Sequence, residues 1–259
     1  MIITKYFNAE KDQKFYNMGS FRLGTLISYG SGEEGCGDRF SDVCEGKAKT
    51  DYGQAGDKID NLIIGGASIG SLVSVPPAPP GTPLYDLWKE KPAAISYQSR
   101  FDANVFCASL GPYSPAQHRV MRFGHDDPDE PYQGCPSLTG WAEIDVGKFI
   151  RALTRWVMKV SEYPKIRSGE EVGFLMAKEV SYDKAAQKRP IEDARKADEL
   201  TEEMIDRAVF HKPKKYAPER EFRIAVSMHP LHHTSKTEPI YPISFALKRS
   251  IIRKGKVGF

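Results

Sequence analysis

Long apolar runs and closely spaced cysteine pairs are missing from this chain of 259 residues. No stretch approaches the ~20 apolar residues of a membrane-spanning helix. The opening residues MIITKYFNAEKD show no basic segment followed by an apolar one. We therefore expect neither a membrane contact nor a secretion signal. Residues 30–35, GSGEEG, have the G-x-G-x-x-G spacing, but a polar loop and not a helical pattern follows them, so a Rossmann dinucleotide fold is not indicated.

The cysteines provide no disulfide or zinc framework. They are Cys36, Cys44, Cys107 and Cys135, and none of them forms a C-x-x-C pair. Free thiols in a cytoplasmic protein are the simplest interpretation. A zinc site that combined Cys107 and Cys135 with His118 and His125 would have irregular spacing, so we expect no metal.

Short strand patterns outnumber helical ones along the chain. Strand-like alternation covers residues 2–7, 21–29, 62–64, 71–75, 104–110, 141–145, 173–182, 219–228 and 240–252. Helical spacing covers residues 11–18, 146–160 and 191–210, and Asp145 is a candidate cap of the second of these helices, whereas residues 111–140 are rich in loop formers. These patterns predict one α+β domain over residues 1–259, built on a mixed sheet with loop insertions such as the proline-rich segment 75–83.

Positive charge is concentrated in two places, although the formal net charge is only +3. Lys212, Lys214 and Lys215 form one basic cluster, and the last twelve residues carry five basic side chains without an acid. Such local patches favour a polyanion more than the net charge suggests. The three lysines are candidate nucleic-acid-binding residues.

The segment 210–227, FHKPKKYAPEREFRIAVS, contains the most informative pair of residues. Residues i and i+2 of a strand share a face, so Glu219 and Glu221 are expected to project into one site. Paired carboxylates suit reactions in which positive charge develops on a sugar, and crowding raises the pKa of one of them. The alternative is a surface ion-pair cluster with nearby arginines and lysines.

Several motifs together resemble an uncharacterised family of bacterial proteins. They are Lys5-Tyr6 near the start, the strand 106–110 with its Cys-Ala-Ser, and the run from Phe210-His-Lys212-Pro213 to Glu219-Arg-Glu221-Phe-Arg223. More distantly, this order is similar to the ADP-ribosyltransferase superfamily. Its arginine-serine-glutamate branch has a basic residue on the first strand, a Ser-Thr-Ser strand and a later E-x-E.

The resemblance implies a role for each matching residue. Glu221 would hold the nicotinamide ribose of NAD, and Glu219 would orient or activate the acceptor. Ser109 would support Glu221. Lys5 would replace the usual arginine near the pyrophosphate, with Tyr6 beside it, although lysine lacks the bidentate contact of arginine.

The region from residue 21 to residue 46 fits the same interpretation. Its loops could wrap the dinucleotide, so Arg22 and Arg39 are candidates for phosphate binding. Tyr29 is a candidate for stacking on nicotinamide. For the loop around Arg39, internal ion pairs are the alternative.

The resemblance implies an NAD-dependent ADP-ribosyltransferase that acts as a toxin or anti-phage effector. The basic clusters favour a nucleic-acid acceptor, RNA in preference to DNA, and a toxin implies an antitoxin partner. One alternative is a metal-dependent nuclease built on the acidic cluster 125–130, HDDPDE. The other is a non-catalytic nucleic-acid-binding module that depends on Lys214 and Lys215.

Overall fold

The computed structural model describes residues 1–26, 47–52, 62–65, 72–75, 95–100, 103–125, 132–160, 175–182, 187–189, 197–226 and 239–257. The chain divides into two compact units. The first comprises Met1–Gly46, Asp102–Asp183 and Phe210–Phe259, and the second comprises Lys47–Phe101 and Lys184–Val209. The expectation of one domain over residues 1–259 stays a prediction.

Twelve strands lie within the described ranges. They are β1 Ile2–Phe7, β2 Gly24–Thr25, β3 Lys47–Tyr52, β4 Leu62–Gly65, β5 Leu72–Val75, β6 Ile95–Arg100, β7 Asn104–Leu110, β8 Gly140–Asp145, β9 Leu175–Glu179, β10 Gln187–Arg189, β11 Glu221–Val226 and β12 Ile251–Lys256. The helices there are α1 Ala9–Met18, α2 Pro115–Phe123, α3 Val146–Val160, α4 Ala197–Phe210 and α5 Phe245–Lys248. A 3₁₀ turn, Lys214–Glu219, precedes β11.

The first unit is built on an open antiparallel sheet of seven strands. Six of them follow the order β12-β8-β1-β7-β11-β9, and β2 pairs with β7 beside β1. The expected α+β class is therefore confirmed, but every strand pair of this sheet is antiparallel, so the expectation that the domain is built on a mixed sheet is wrong for it. The second unit contains the sheet β10-β3-β6 and the antiparallel pair β4-β5, together with nearly all of α4.

Local capping explains where the helices of the first unit begin and end. The Asn8 side chain accepts hydrogen bonds from the first turn of α1, and Gly19 ends this helix in a left-handed conformation with φ of 75°. Asp145 Oδ1 accepts a hydrogen bond from the Lys148 amide, 3.0 Å away, at the start of α3. The expected cap of the helix over 146–160 is thus confirmed.

The apolar core lies on one face of the seven-stranded sheet. Alternate residues of the central strands, including Ile3, Phe106, Ile144 and Ile224, pack there against the buried side of α3. Three aromatic rings, Phe21, Phe106 and Phe149, meet edge-on or tilted with centroids 4.8–5.8 Å apart. Because α3 covers this face, the polar residues that alternate with the core lie on the opposite face.

Three expected elements differ from the structure. Residues 111–140 were expected to be loop, yet α2 begins after the N-cap Ser114, with Pro at its first position, and ends at Gly124. A strand was expected over 21–29, but in its described part only Gly24–Thr25 is strand. The backbone amides of Phe21 and Leu23 donate instead to the carbonyl oxygens of Pro242 and Ile240. The segment expected as strand over 240–252 contains the short helix α5, capped by Ser244, before β12.

Candidate functional site

The two carboxylates of the E-x-E sequence meet, but not through strand alternation. Glu219 ends the 3₁₀ turn and Glu221 begins β11, so the strand expected from residue 219 starts two residues later. Arg220 between them has a φ of 47°, the positive value of a left-handed residue that is not glycine. This conformation turns the chain between the two glutamates, so that both side chains reach one lysine.

That lysine is Lys212, whose ammonium bridges the pair. Its Nζ lies 2.8 Å from Oε2 of Glu219 and 2.7 Å from Oε2 of Glu221. Arg223 Nε donates to Oε1 of Glu221 across 2.7 Å. The four side chains are only 2–8% exposed, so the cluster is buried and is not the surface ion-pair network that the sequence left open.

One buried oxygen of the cluster has no aligned hydrogen bond. The approach of Lys212 to Oε2 of Glu221 is an ion-pair contact without hydrogen-bond alignment, and this oxygen accepts no hydrogen bond from the described residues. Buried acceptors in native proteins are almost always satisfied. Oε2 of Glu221 therefore keeps a capacity to accept a hydrogen bond that the described residues do not fill.

The two glutamates differ in their protonation. Burial alone raises the pKa of Glu221, but the adjacent Arg223 and Lys212 outweigh it and hold that pKa well below its usual range. Burial raises the pKa of Glu219 to about 7, only partly offset by Lys212 and reinforced by the charge of Glu221. At neutral pH, Glu221 is ionised, whereas Glu219 is present in both its protonated and its ionised form.

This difference predicts a pH effect on stability that Glu219→Gln removes. The folded pKa of Glu219 lies above its unfolded value of roughly 4.3, so the folded state binds the proton more tightly between these values. We expect the free energy of unfolding of the wild type, relative to that of the Glu219→Gln variant, to rise as the pH falls from about 8 to about 5. Urea unfolding across this range measures it, and a constant difference would contradict the raised pKa.

Neighbouring groups fix the backbone at both carboxylates. Tyr182 Oη accepts a hydrogen bond from the Glu221 amide across 2.7 Å. The Lys212 amide bonds to Ser181 O at 2.9 Å, and Gln117 Nε2 donates to Pro218 O at 2.6 Å. The geometry of the site is therefore set by the sheet, by α2 and by the residues after β9.

Ser109 lies directly opposite Glu221 in the sheet. The register pairs Glu221 with Ser109, and Ser109 also pairs with Thr4 of β1. Further pairing joins Thr4 to Glu143 and Glu143 to Arg253. We call this line of five residues the polar row; at ~4.8 Å per strand it extends about 19 Å across one face of the sheet.

The structure does not bring Lys5 together with the carboxylates. Lys5 pairs with Ala142, which belongs to the apolar core, so its side chain lies on the face opposite the polar row. Its Nζ lies 5.3 Å from the centroid of the Phe106 ring and donates to Cys107 O across 2.8 Å. The neighbours of Lys5 in β1, Thr4 and Tyr6, lie on the face of the sheet that carries the polar row.

Tyr6 lies among aromatic side chains next to the row. Its ring centroid is 4.8 Å from that of His118 and 6.5 Å from that of Tyr113, and Tyr113 stacks on Trp141 at 4.0 Å. His118 Nε2 lies 2.6 Å from Leu138 O; because a carbonyl only accepts, this nitrogen carries the proton. Burial lowers the pKa of His118, so the ring is a neutral part of the site wall.

The other predicted site residues are dispersed. Arg22 is exposed, and Lys214 and Lys215 are exposed on the 3₁₀ turn, whereas Lys212 is buried with the carboxylates. Tyr29 and Arg39 lie outside the described residues, and so do positions 126–130 of the acidic cluster.

The thiols and imidazoles considered for zinc are engaged elsewhere. Burial, followed by the charge of Glu221, raises the pKa of Cys107, so its thiol stays protonated beside that carboxylate. Cys135 Sγ lies 3.0 Å from Ser137 Oγ. Across the ranges that the structure describes, no three His, Cys, Asp or Glu side chains are grouped as metal ligands.

None of the described helices has the length and apolar character of a membrane span.

Two tyrosines of the site escaped the sequence analysis. Tyr132 Oη lies 3.5 Å from Oε1 of Glu219, and Tyr182 holds the Glu221 amide. Tyr132 falls in the loop-rich segment 111–140 and Tyr182 at the end of the strand expected over 173–182, and no motif marks either residue. Nothing in the sequence marks Arg253 and Glu143 either, because only strand pairing brings them to the site. Nε and Nη2 of Arg253 donate to the two carboxylate oxygens of Glu143 across 2.5–2.6 Å.

The arrangement combines an ionised carboxylate, a second carboxyl group that titrates near neutrality, and a wall of hydroxyl and aromatic groups. It can stabilise a developing positive charge and accept a proton within one buried cluster. No protein-family model, curated protein or solved structure matches this chain.

Proposed function

We propose that this protein is an NAD-dependent ADP-ribosyltransferase whose catalytic residues are Glu221 and Glu219. The observation that carries the proposal is the difference between the two carboxylates. Glu221 is held ionised and has one buried oxygen without a hydrogen bond, whereas the pKa of Glu219 is raised to about 7. Two carboxyl groups whose pKa values are pushed apart divide the acid-base and electrostatic roles of a reaction.

Glu221 acts on the sugar. Its free Oε2 accepts a hydrogen bond from a hydroxyl of the nicotinamide ribose, and its charge stabilises the oxocarbenium ion that forms as the bond from C1′ to the nicotinamide nitrogen breaks. Nicotinamide leaves with the electron pair of that bond. Ser109, opposite Glu221 in the sheet, provides a hydroxyl on the same face.

Glu219 acts on the acceptor. A nucleophilic nitrogen or oxygen of the acceptor attacks C1′, and Glu219 takes the proton that this atom loses. A base with a pKa of about 7 is half ionised at neutral pH and is reprotonated readily afterwards. Tyr132, within 3.5 Å of the carboxyl group, orients it.

An arginine rather than Lys5 meets the pyrophosphate in this proposal. Arg220 is exposed, lies between the two glutamates and influences the hydroxyl of Tyr6 electrostatically. A guanidinium offers two parallel hydrogen bonds to phosphate oxygens. The aromatic wall formed by Tyr6, Tyr113 and Trp141 borders the same face and is suited to stacking on a base.

The acceptor is a nucleic acid, RNA in preference to DNA, since basic residues are concentrated on exposed segments. Uncontrolled attachment of ADP-ribose to cellular nucleic acid would harm the host cell. The protein accordingly acts as a toxin or anti-phage effector in the cytoplasm, restrained by an antitoxin protein.

The direct test supplies labelled NAD together with cellular RNA, DNA or protein. Transfer of label to RNA, with release of nicotinamide, supports the proposal, and transfer to DNA or protein changes only the acceptor. Neither transfer nor nicotinamide release with any acceptor would reject the transferase function.

Glu219→Gln is expected to separate the two halves of the reaction. Nicotinamide release should persist because Glu221 is intact, whereas transfer to the acceptor should fall by ~10²-fold or more as the general base is lost. In the wild type, transfer should rise as the pH increases through about 7, following ionisation of Glu219. Equal loss of both activities in the variant would contradict the separate role of Glu219.

A non-catalytic nucleic-acid-binding module is the second candidate. It is favoured by the balance of charge in the buried cluster, in which two cations face two carboxylates. Such a cluster would only support the fold, and Lys214 and Lys215 would carry the function on the exposed turn. Under that function, Glu221→Gln leaves activity in cells intact and substitution of the two lysines abolishes it.

A further inference from the structure

Helix α3 carries a continuous basic stripe on its outer side. Lys148, Arg151, Arg155 and Lys159 are all exposed and are spaced by three or four residues, so they follow one side of the helix. The stripe extends ~16 Å along the helix axis at 1.5 Å per residue. The opposite side of α3, with Phe149 and Leu153, is buried in the core.

Helix α5 extends this surface. It packs against α3, and its Lys248 and Arg249 are exposed. Phe245 is 71% exposed, and the Arg249 guanidinium lies 5.5 Å from the centroid of its ring. An aromatic ring of this size so far in solvent, bordered by cations, is typical of a surface on which a planar ligand stacks.

The charge of these segments contrasts with that of the whole chain. The chain has 37 basic and 34 acidic residues, yet residues 146–160 and 239–257 contain nine basic residues and no acid. The preceding Asp145 is used to cap α3. We call the exposed cations of α3 and α5, with Phe245, the basic helical surface.

This surface is separate from the carboxylate site. Helix α3 covers the apolar face of the seven-stranded sheet, whereas Glu219 and Glu221 belong to the polar side. The apolar side of α3 is already buried in the core, so the helix has no second apolar stripe to insert into a lipid bilayer. Cations in a line together with an exposed ring match a single strand of nucleic acid, because each of its nucleotides has a backbone phosphate and a base that can stack.

We propose that the basic helical surface binds single-stranded nucleic acid, with the sugar-phosphate backbone along the α3 stripe and a base stacked on Phe245. This surface is distinct from Lys214 and Lys215 on the 3₁₀ turn. It needs no NAD and no transfer chemistry, so it stands independently of the proposed enzymatic function.

The test measures binding of a fluorescent single-stranded RNA by anisotropy over a series of salt concentrations, without NAD. Replacing the four stripe cations by Gln, which keeps helix propensity, should weaken binding by at least about tenfold. It should also reduce the slope of log K against log salt by about 2.8, at 0.7 per phosphate contact of a single strand. Phe245→Ala should weaken binding about tenfold while leaving that slope unchanged.

A matched variant removes three exposed cations elsewhere, Lys11, Lys14 and Arg119, and thus changes the net charge by a similar amount. It should retain wild-type binding. If it loses binding as strongly as the stripe variant, or if the stripe variant binds normally, the assignment of the surface is wrong. Tighter binding to phosphatidylserine vesicles than to RNA, or Phe245-independent binding to duplex DNA, also overturns it. Circular dichroism checks that every variant is folded.

Discussion

Glu221→Gln is expected to reduce nicotinamide release from NAD by about 10³-fold, the largest effect of any single substitution in the proposed site. Glutamine keeps the shape of the side chain but removes the negative charge that stabilises the ribosyl cation. Because this charge acts mainly in the transition state, the turnover rate should fall while the KM for NAD changes little. Nicotinamide release with and without acceptor, measured under saturating NAD, checks the expectation.

The matched control is Glu179→Gln. Glu179 is an exposed glutamate on β9, next to β11 in the same sheet, and it pairs with Phe222. Its substitution should leave nicotinamide release unchanged. If Glu221→Gln retains wild-type release while folding normally, the charge of Glu221 has no catalytic role, and the cluster serves only the fold.

Lys212→Met is expected to destabilise the protein by about 3–5 kcal/mol, because it leaves two buried carboxylates without their shared cation. At ~2–4 °C per kcal/mol the melting midpoint should fall by roughly 10 °C. Loss of Lys212 raises the pKa of both carboxyl groups, so each binds a proton more tightly when folded. The stability of the variant should therefore recover as the pH falls toward about 5.

A second substitution distinguishes the buried charge from simple loss of packing. In the double variant Lys212→Met, Glu219→Gln, the carboxylate that does not also pair with Arg223 is gone, and the destabilisation should be smaller than the sum of the single effects by about 1–3 kcal/mol. Lys214→Met, two residues away and exposed, serves as the control and should unfold like the wild type. Additive effects of the two single substitutions would show that Lys212 and Glu219 are not coupled.

The sequence was sufficient to predict those elements in which the apolar spacing and the terminal residues favour the same secondary structure. Strands β1, β7 and β8 and helix α3 were predicted because their apolar spacing and the Asp145 cap all favour the same elements. The meeting of Glu219 and Glu221 was also predicted, although its cause is the left-handed Arg220. No propensity favours that conformation for arginine, so only the tertiary bonds of the turn specify it.

The burial of Lys212 was beyond the reach of the sequence. A lysine beside proline and two further lysines favours an exposed cluster, and lysine is almost never fully buried unless it is paired. Its partners come from later residues whose positions depend on β9, α2 and the turn. By contrast, the face of Lys5 was predictable: Ile3, Lys5 and Phe7 alternate along β1, so Lys5 had to share the side of the two core residues.

The two glutamates differ in the kind of element that holds them, and this gives them different mobility. Glu221 begins a strand that is hydrogen-bonded to neighbours on both sides, β7 and β9. Glu219 ends a 3₁₀ turn whose backbone bonds include Tyr216 N to Pro213 O and Arg220 N to Ala217 O, both 3.0 Å long. A short 3₁₀ segment opens at a lower free energy than a central strand, so its amides should exchange with deuterium first. In the proposed reaction, Glu219 can thus move aside to admit a bulky acceptor while Glu221 stays fixed at the ribose.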